Sequence, residues 1–148
     1  RGTAFAHAGM RMGPAICYEG LYGDFYGDFV RRGAQFMAII SNDGWWGDTP
    51  GYKHLFTISR LRAIEHRRAI ARSANTGMSG FISARGDIGE TLGWEKRGVI
   101  SAAVPLNSEL TFYTRYGDYL GRIAEYLTLL CVLYYIAYRV KKKNYLVK

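Results

Sequence analysis

Cysteine is nearly absent from this chain. Its 148 residues hold two, Cys17 and Cys131, far apart and the second inside an apolar segment. That count argues against a disulfide framework, and no cysteine–histidine spacing fits a metal site. There is no internal repeat and no low-complexity stretch. The first residue is Arg1 rather than methionine, and no signal-peptide pattern follows it, which suggests a fragment whose N-terminal part is absent. Acidic residues are the minority, 12 against 20 basic ones, for a net charge of +8. The excess is concentrated at one end: Arg139, Lys141, Lys142, Lys143 and Lys148 follow residue 138, leaving 15 basic against 12 acidic residues before it. A basic tail alone could bind nucleic acid. This one directly follows an apolar segment, which favours a membrane boundary, and no nucleic-acid partner is expected.

What is present suits a folded domain. Hydrophobic residues make up 49% and aromatic ones 15%, enough for one domain with a real core at this length. Residues 1–12 are Gly- and Ala-rich with weak patterning and read as the tail of a loop. Met10–Ile16 reads as a strand. Residues 24–32 read as a short helix, with Phe25 and Phe29 on one face and Gly33 ending it. Residues 36–40 form a continuous apolar run that suits a buried strand. Residues 51–68 are the longest soluble helix candidate, with Leu55, Ile58, Leu61 and Ile64 as its apolar stripe. Arg60, Arg62, Glu65, His66, Arg67 and Arg68 would then occupy solvated faces. Residues 69–74 and 79–83 read as a hairpin, and residues 99–104 as a further strand closed by Pro105. The order implies an α/β fold with a mixed sheet and helices on it.

Cys17 stands where an apolar strand end expected to be buried, Ala15 and Ile16, meets a turn at Gly20. A side chain on such an elbow projects into open space, the geometry that exposes a hydrolase nucleophile. Glu19 brings a carboxylate close to the thiol. A thiol becomes a strong nucleophile when a neighbour takes its proton or stabilises the thiolate. The alternative is a buried structural cysteine, since free cysteine is among the most buried residue types. The loop 41–48 carries Trp45 and Trp46 beyond a strand's carboxyl end, where ligands of open α/β sheets gather. One tryptophan is expected to plug the core and the other to line an apolar substrate site. His54 lies near this loop, as a capping or packing residue or as part of the same site.

Residues 119–138 form an apolar segment of 20 residues, within the length that spans a bilayer. Arg122 and Glu125 lie near one end and can pair on a helix. Tyr134, Tyr135 and Tyr138 beside the basic tail resemble an interfacial belt. Three parts are expected: a domain over 1–118, a transmembrane helix over 119–138, and a basic cytoplasmic tail over 139–148.

Taken together, ICYE at 16–19, SNDGWWGD at 41–48, RLRAIE at 60–65 after His54, RSANTG at 72–77 and YTRYGD at 113–118 resemble the C-terminal portion of bacterial apolipoprotein N-acyltransferases. ICYE alone is similar only to the wider nitrilase, or carbon-nitrogen hydrolase, superfamily. The resemblance implies the nitrilase α-β-β-α sandwich, a catalytic domain facing the periplasm, and an inner-membrane location. It implies acyl transfer from a phospholipid to the N-terminal diacylglyceryl-cysteine of a lipoprotein, without a cofactor or metal. It makes Cys17 the nucleophile of a Glu-Lys-Cys triad, with Glu19 supporting it, the Tyr18 backbone N–H a candidate oxyanion donor, and Trp45 and Trp46 in contact with lipid chains. The family's base and lysine match nothing here; Glu65, Glu90, Lys53 and Lys96 lie outside the matching motifs. Two other readings are an amidase acting on a small soluble amide and a catalytically dead, membrane-tethered interaction domain.

Overall fold

A computed structural model describes residues 3–146, with the backbone alone for residues 143–146. Lys148 and the side chain of Lys143 therefore lie outside the described residues. The chain divides into two compact units, Arg1–Gly117 and Asp118–Lys148.

The first unit is built on one sheet of six strands in chain order: β1 (Phe5–His7), β2 (Met10–Ile16), β3 (Phe36–Ser41), β4 (Ile70–Ala74), β5 (Ser79–Ile82) and β6 (Ile88–Leu92). The central three are parallel, with Ile16 opposite Ile40 and Ser41 opposite Ala74. Parallel neighbours need a crossover, which α1 (Gly23–Arg31) and α2 (Pro50–His66) supply. Asp24 in the first turn of α1 and Arg31 in its last complement the helix dipole. Gly33, at a φ of 96°, lets the chain leave α1. Thr49 caps α2 by accepting the Gly51 N–H, and Pro50 occupies its first turn.

Alternate residues of the strands face these helices. Ala15, Met37, Ile39, Ile70 and Ile82 form one buried cluster with Tyr26, Phe29, Val30, Phe56 and Ala63. The Phe25 and Phe29 rings meet edge to face at 5.3 Å, as their spacing predicts. The opposite sheet face stays more open, with Ile40 at 60% exposure and a cleft of about 380 Å³ lined by Ala38, Ala71, Phe81 and Leu92.

Several expectations are corrected. Residues 1–12 are not simply a loop: Ala8 and Gly9 both adopt positive φ and close a hairpin between β1 and β2. Residues 99–104 form no strand, despite their β-branched composition. They run irregularly past the sheet and line its clefts. β6 was hidden because it is a polar, exposed edge whose identity comes from pairing with β5. Ile16 is 61% exposed rather than buried, since it alternates with fully buried Ala15.

The stripe on α2 is also different. A spacing of three drifts about 60° per step around a helix, so Leu55, Ile58, Leu61 and Ile64 cannot share a narrow face. Leu61 and Ile64 are exposed, while Tyr52, Leu55, Phe56, Ser59, Arg62, Ala63 and His66 go inward. Arg62, His66 and Arg68 were expected in solvent, and all three are buried. His66 and Arg68 hold residues 107–116, which include the short helix α3 (Phe112–Tyr116), through Thr114 and Glu109, while Arg62 pairs with Glu65. Arg68 donates to the carbonyls of Ala34 at 2.7 Å and Glu109 at 2.9 Å.

The second unit is α4 (Tyr119–Leu146), which continues beyond the predicted 119–138 through much of the basic tail. Residues Tyr119–Lys142 of it have a mean hydropathy of 1.4 in their most apolar window. At 1.5 Å per residue these 24 residues reach about 36 Å, enough to cross a hydrocarbon layer of about 30 Å. The Arg139 guanidinium lies 5.9 Å from the Tyr135 ring centre.

Candidate active site

The parallel register sets three chain segments side by side. β2 ends at Ile16, beside Ile40; β3 ends at Ser41, beside Ala74 of β4. The Asn75 N–H donates to the Ser41 carbonyl at 3.2 Å. ICYE, SNDGWWGD and RSANTG, separated by tens of residues in sequence, thus converge at one edge of the sheet. It is the carboxyl edge of the parallel strands, where α/β folds place their ligands.

Cys17 opens a 3-10 turn over Cys17–Leu21 with a φ of 52°. Left-handed backbone is sterically unfavourable for a residue with a Cβ, at about 1–3 kcal/mol. The other non-glycine residues at positive φ among those described, Ala8, Arg67 and Glu95, sit in turns or, for Arg67, at a helix C-cap. The Cys17 thiol is half-buried and unpaired. Glu19 holds the elbow closed: its Oε2 accepts the Ile16 N–H at 2.7 Å. The Tyr18 side chain is exposed. Its backbone N–H belongs to the first turn of the 3-10 segment, where amides have no partner within the helix.

The aromatic loop is a second 3-10 turn, Gly44–Trp46. Trp45 is 82% exposed and Trp46 is 40% exposed, so neither plugs the core as expected. Trp46 lies over Gly51, where a Cβ would come within 2.7 Å of the indole. His54 is exposed on α2.

Sequence reasoning missed what anchors this loop. Asp43 is fully buried and receives both contacts from one nitrogen of Arg72, whose Nη2 donates to Oδ1 and Oδ2 at 2.9 Å. The Ser41 hydroxyl donates to the same carboxylate at 2.5 Å. Gly77 closes over the carboxylate, and a Cβ there would meet Asp43. The signal was available, since SNDGWWGD and RSANTG each contain one half of the pair.

Glu65 and Lys53 are engaged elsewhere. Glu65 pairs with Arg62 at 3.1 Å, and burial raises its pKa. The Lys53 ammonium lies 5.7 Å from the Tyr52 ring centre. His66 has its pKa lowered to about 4, chiefly by burial and then by the charge of Arg62. Its Nε2–H donates to the Gly23 carbonyl at 3.1 Å and its Nδ1 lies 2.8 Å from the Thr114 hydroxyl. Its ring stacks on Tyr26. These contacts make His66 a structural tie between α1, α2 and α3. Among the described residues no group of three or more His, Cys, Asp or Glu could hold a metal ion.

The sheet thus presents a free cysteine in left-handed backbone at a parallel strand's carboxyl end, the arrangement of an elbow. The chain belongs to the carbon-nitrogen hydrolase family, whose profile matches residues 1–110. Its fold is that of the nitrilase superfamily: it aligns with Nit3 of Saccharomyces cerevisiae at a TM-score of 0.58 and 20% identity, over 66% of this chain and 38% of that one. It also aligns with a variant of the amidase from Nesterenkonia sp. AN1 that carries acrylamide added to its active-site cysteine, at a TM-score of 0.53 and 17% identity, over 79% of this chain and 46% of that one. In sequence it is 45% identical over 109 residues to the apolipoprotein N-acyltransferase of Chlorobaculum tepidum. That match covers 74% of this chain and 20% of the relative, so the chain corresponds to about a fifth of that protein's length.

Proposed function

We propose that this chain is the cysteine-bearing segment of an apolipoprotein N-acyltransferase. The observation that carries the reading is the position of Cys17: an elbow at φ 52° on the site edge of the sheet, in a chain 45% identical over 109 residues to such an enzyme. Cys17 is the nucleophile. Its thiolate attacks the ester carbonyl of a phospholipid, the tetrahedral intermediate expels lysophospholipid, and an acyl-thioester remains. The free amine of a lipoprotein's diacylglyceryl-cysteine then attacks the thioester. Collapse of that second intermediate forms the amide and returns the thiol.

Each intermediate carries an oxyanion, and in this reading the Tyr18 N–H donates to it. Glu19 supports the site through the Ile16 amide. The base and the lysine come from parts of the protein outside this segment. Trp45 and Trp46 contact the acyl chain. The helix α4 spans the inner membrane, with Arg122 and Glu125 toward the periplasm, the catalytic domain periplasmic and the basic tail cytoplasmic, as one-sided positive charge favours. A span that follows the domain in the same chain suits substrates whose tails stay in the bilayer.

The test uses the full-length protein in vesicles with a chain-labelled phospholipid and a diacylglyceryl-cysteine peptide. Label should pass to the peptide amine and be lost in the Cys17→Ser variant. Ammonia release from small amides, with no transfer from phospholipid, would replace this reading with the amidase one. Transfer that survives Cys17→Ser would overturn it.

A further inference from the structure

We propose that Asp43 and Arg72 are positioning residues that hold the Trp45–Trp46 loop where it receives a long acyl chain. This rests on the reading above, in which Cys17 captures that chain. Trp45 is 82% exposed, so packing of its own side chain does little to fix its place. Its position is set instead by the root of its loop, two residues earlier. There the Asp43 carbonyl accepts the Trp46 N–H at 3.1 Å and closes the turn that bears both indoles. The Asp43 side chain is simultaneously tied to Arg72 and to Ser41. Arg72 is fixed in turn from three elements. It sits on β4, its Nε donates to the Met78 carbonyl at 3.2 Å, and its Nη1 reaches the Ser59 hydroxyl of α2 at 3.4 Å. A guanidinium braced in this way defines one location for the carboxylate, and through it one location for the turn. Gly77 completes the clamp from the other side.

A purely cohesive role is poorly served by such a pair. Taking two charges out of water offsets most of their attraction, and well-packed apolar residues would stabilise the fold at least as well. What the pair supplies is a single loop geometry. The consequence is selective. Donors whose chain reaches the tryptophans depend on the pair, and small acyl donors that reach only Cys17 do not.

The experiment compares full-length wild type with Asp43→Asn and with the double variant Asp43→Asn/Arg72→Gln. The second removes both charges together, so no buried charge is left unpaired if the single variant fails to fold. Cys17 acylation is measured with a long-chain phospholipid in mixed micelles and with p-nitrophenyl acetate. The expected result is a loss of about 10-fold or more in kcat/KM for the phospholipid and less than about 2-fold for the acetate. In a Trp45→Ala background the same double variant should add less than about 2-fold, because residues acting through one another are not additive. Equal losses on both donors, or a full additional loss without Trp45, would overturn the proposal and leave a structural role. Wild type that acylates Cys17 with acetate but never with phospholipid would instead remove the acyltransferase reading, and this proposal with it.

Discussion

Gly77→Ala tests how the floor of the site is built. A Cβ added at Gly77 would lie 2.5 Å from the Asp43 Cβ and 2.7 Å from its Cγ, and closer still to a carboxylate oxygen. Comfortable carbon contacts begin near 3.5 Å, roughly an ångström further out. Asp43 resists displacement: it is fully buried and tied to Arg72 and Ser41. If the turn moves instead, the cost is that of overpacking, about 1–3 kcal/mol. If the carboxylate is pushed off Arg72, a buried charge loses its partner and the cost rises toward about 3–5 kcal/mol. Gly93→Ala is the matched control, because its Cβ would meet nothing within 4 Å. That change should be neutral or stabilise by up to about 1 kcal/mol through the unfolded chain. Thermal denaturation of the two full-length variants side by side gives the comparison. At roughly 2–4 °C per kcal/mol for a domain of this size, Gly77→Ala should melt several degrees below Gly93→Ala. Coincident melting curves would mean that the turn is free to move, and that the clamp around Asp43 is loose.

Trp45→Ala should leave the melting temperature within the range of ordinary surface changes, about 0.5 kcal/mol, yet slow acyl capture from phospholipid; unfolding of that variant would assign Trp45 to packing. His66 titrates near 4 in the fold against 6.5 unfolded, so the unfolded chain binds more protons between those values. The His66 contribution is therefore complete above pH 6.5 and lost as pH falls toward 4, by roughly 3 kcal/mol at most. The raised pKa of Glu65 opposes it in part. His66→Gln should flatten this dependence in acid denaturation, and an unchanged profile would refute the burial of a neutral imidazole. In cells with a permeabilised outer membrane, an impermeant thiol reagent should label a cysteine placed at Asp118 but not one at Asn144; the reverse would overturn the proposed orientation of α4.

β3 and α1 were readable because the first is a continuous apolar run and the second is amphipathic with Gly33 at its end. That Cys17 and the Trp45–Trp46 loop each follow a strand end was readable too, whereas their meeting with RSANTG at one edge emerges only from the register of the strands. What escaped detection depended on pairing or on buried polarity. β6 carries no periodic signal and exists through β5. Ala8 adopts a φ that alanine rarely takes, so the first hairpin left no turn signature. Arg62, His66 and Arg68 look solvated in a window of sequence. His66 and Arg68 meet residues 107–116, more than forty positions away. A separation of 29 residues likewise hid Asp43 from Arg72, although each sits in a motif that stood out.

The most direct test of the central proposal is the mass of the Cys17 peptide. Full-length protein is incubated with a phospholipid of defined chain length, without a lipoprotein acceptor, then digested and analysed by mass spectrometry. The peptide should gain the mass of that acyl chain, release it to neutral hydroxylamine as a thioester does, and lose it when a diacylglyceryl-cysteine peptide is added. An acyl group on another residue, or one on Cys17 that the peptide amine cannot remove, would contradict the role given to Cys17.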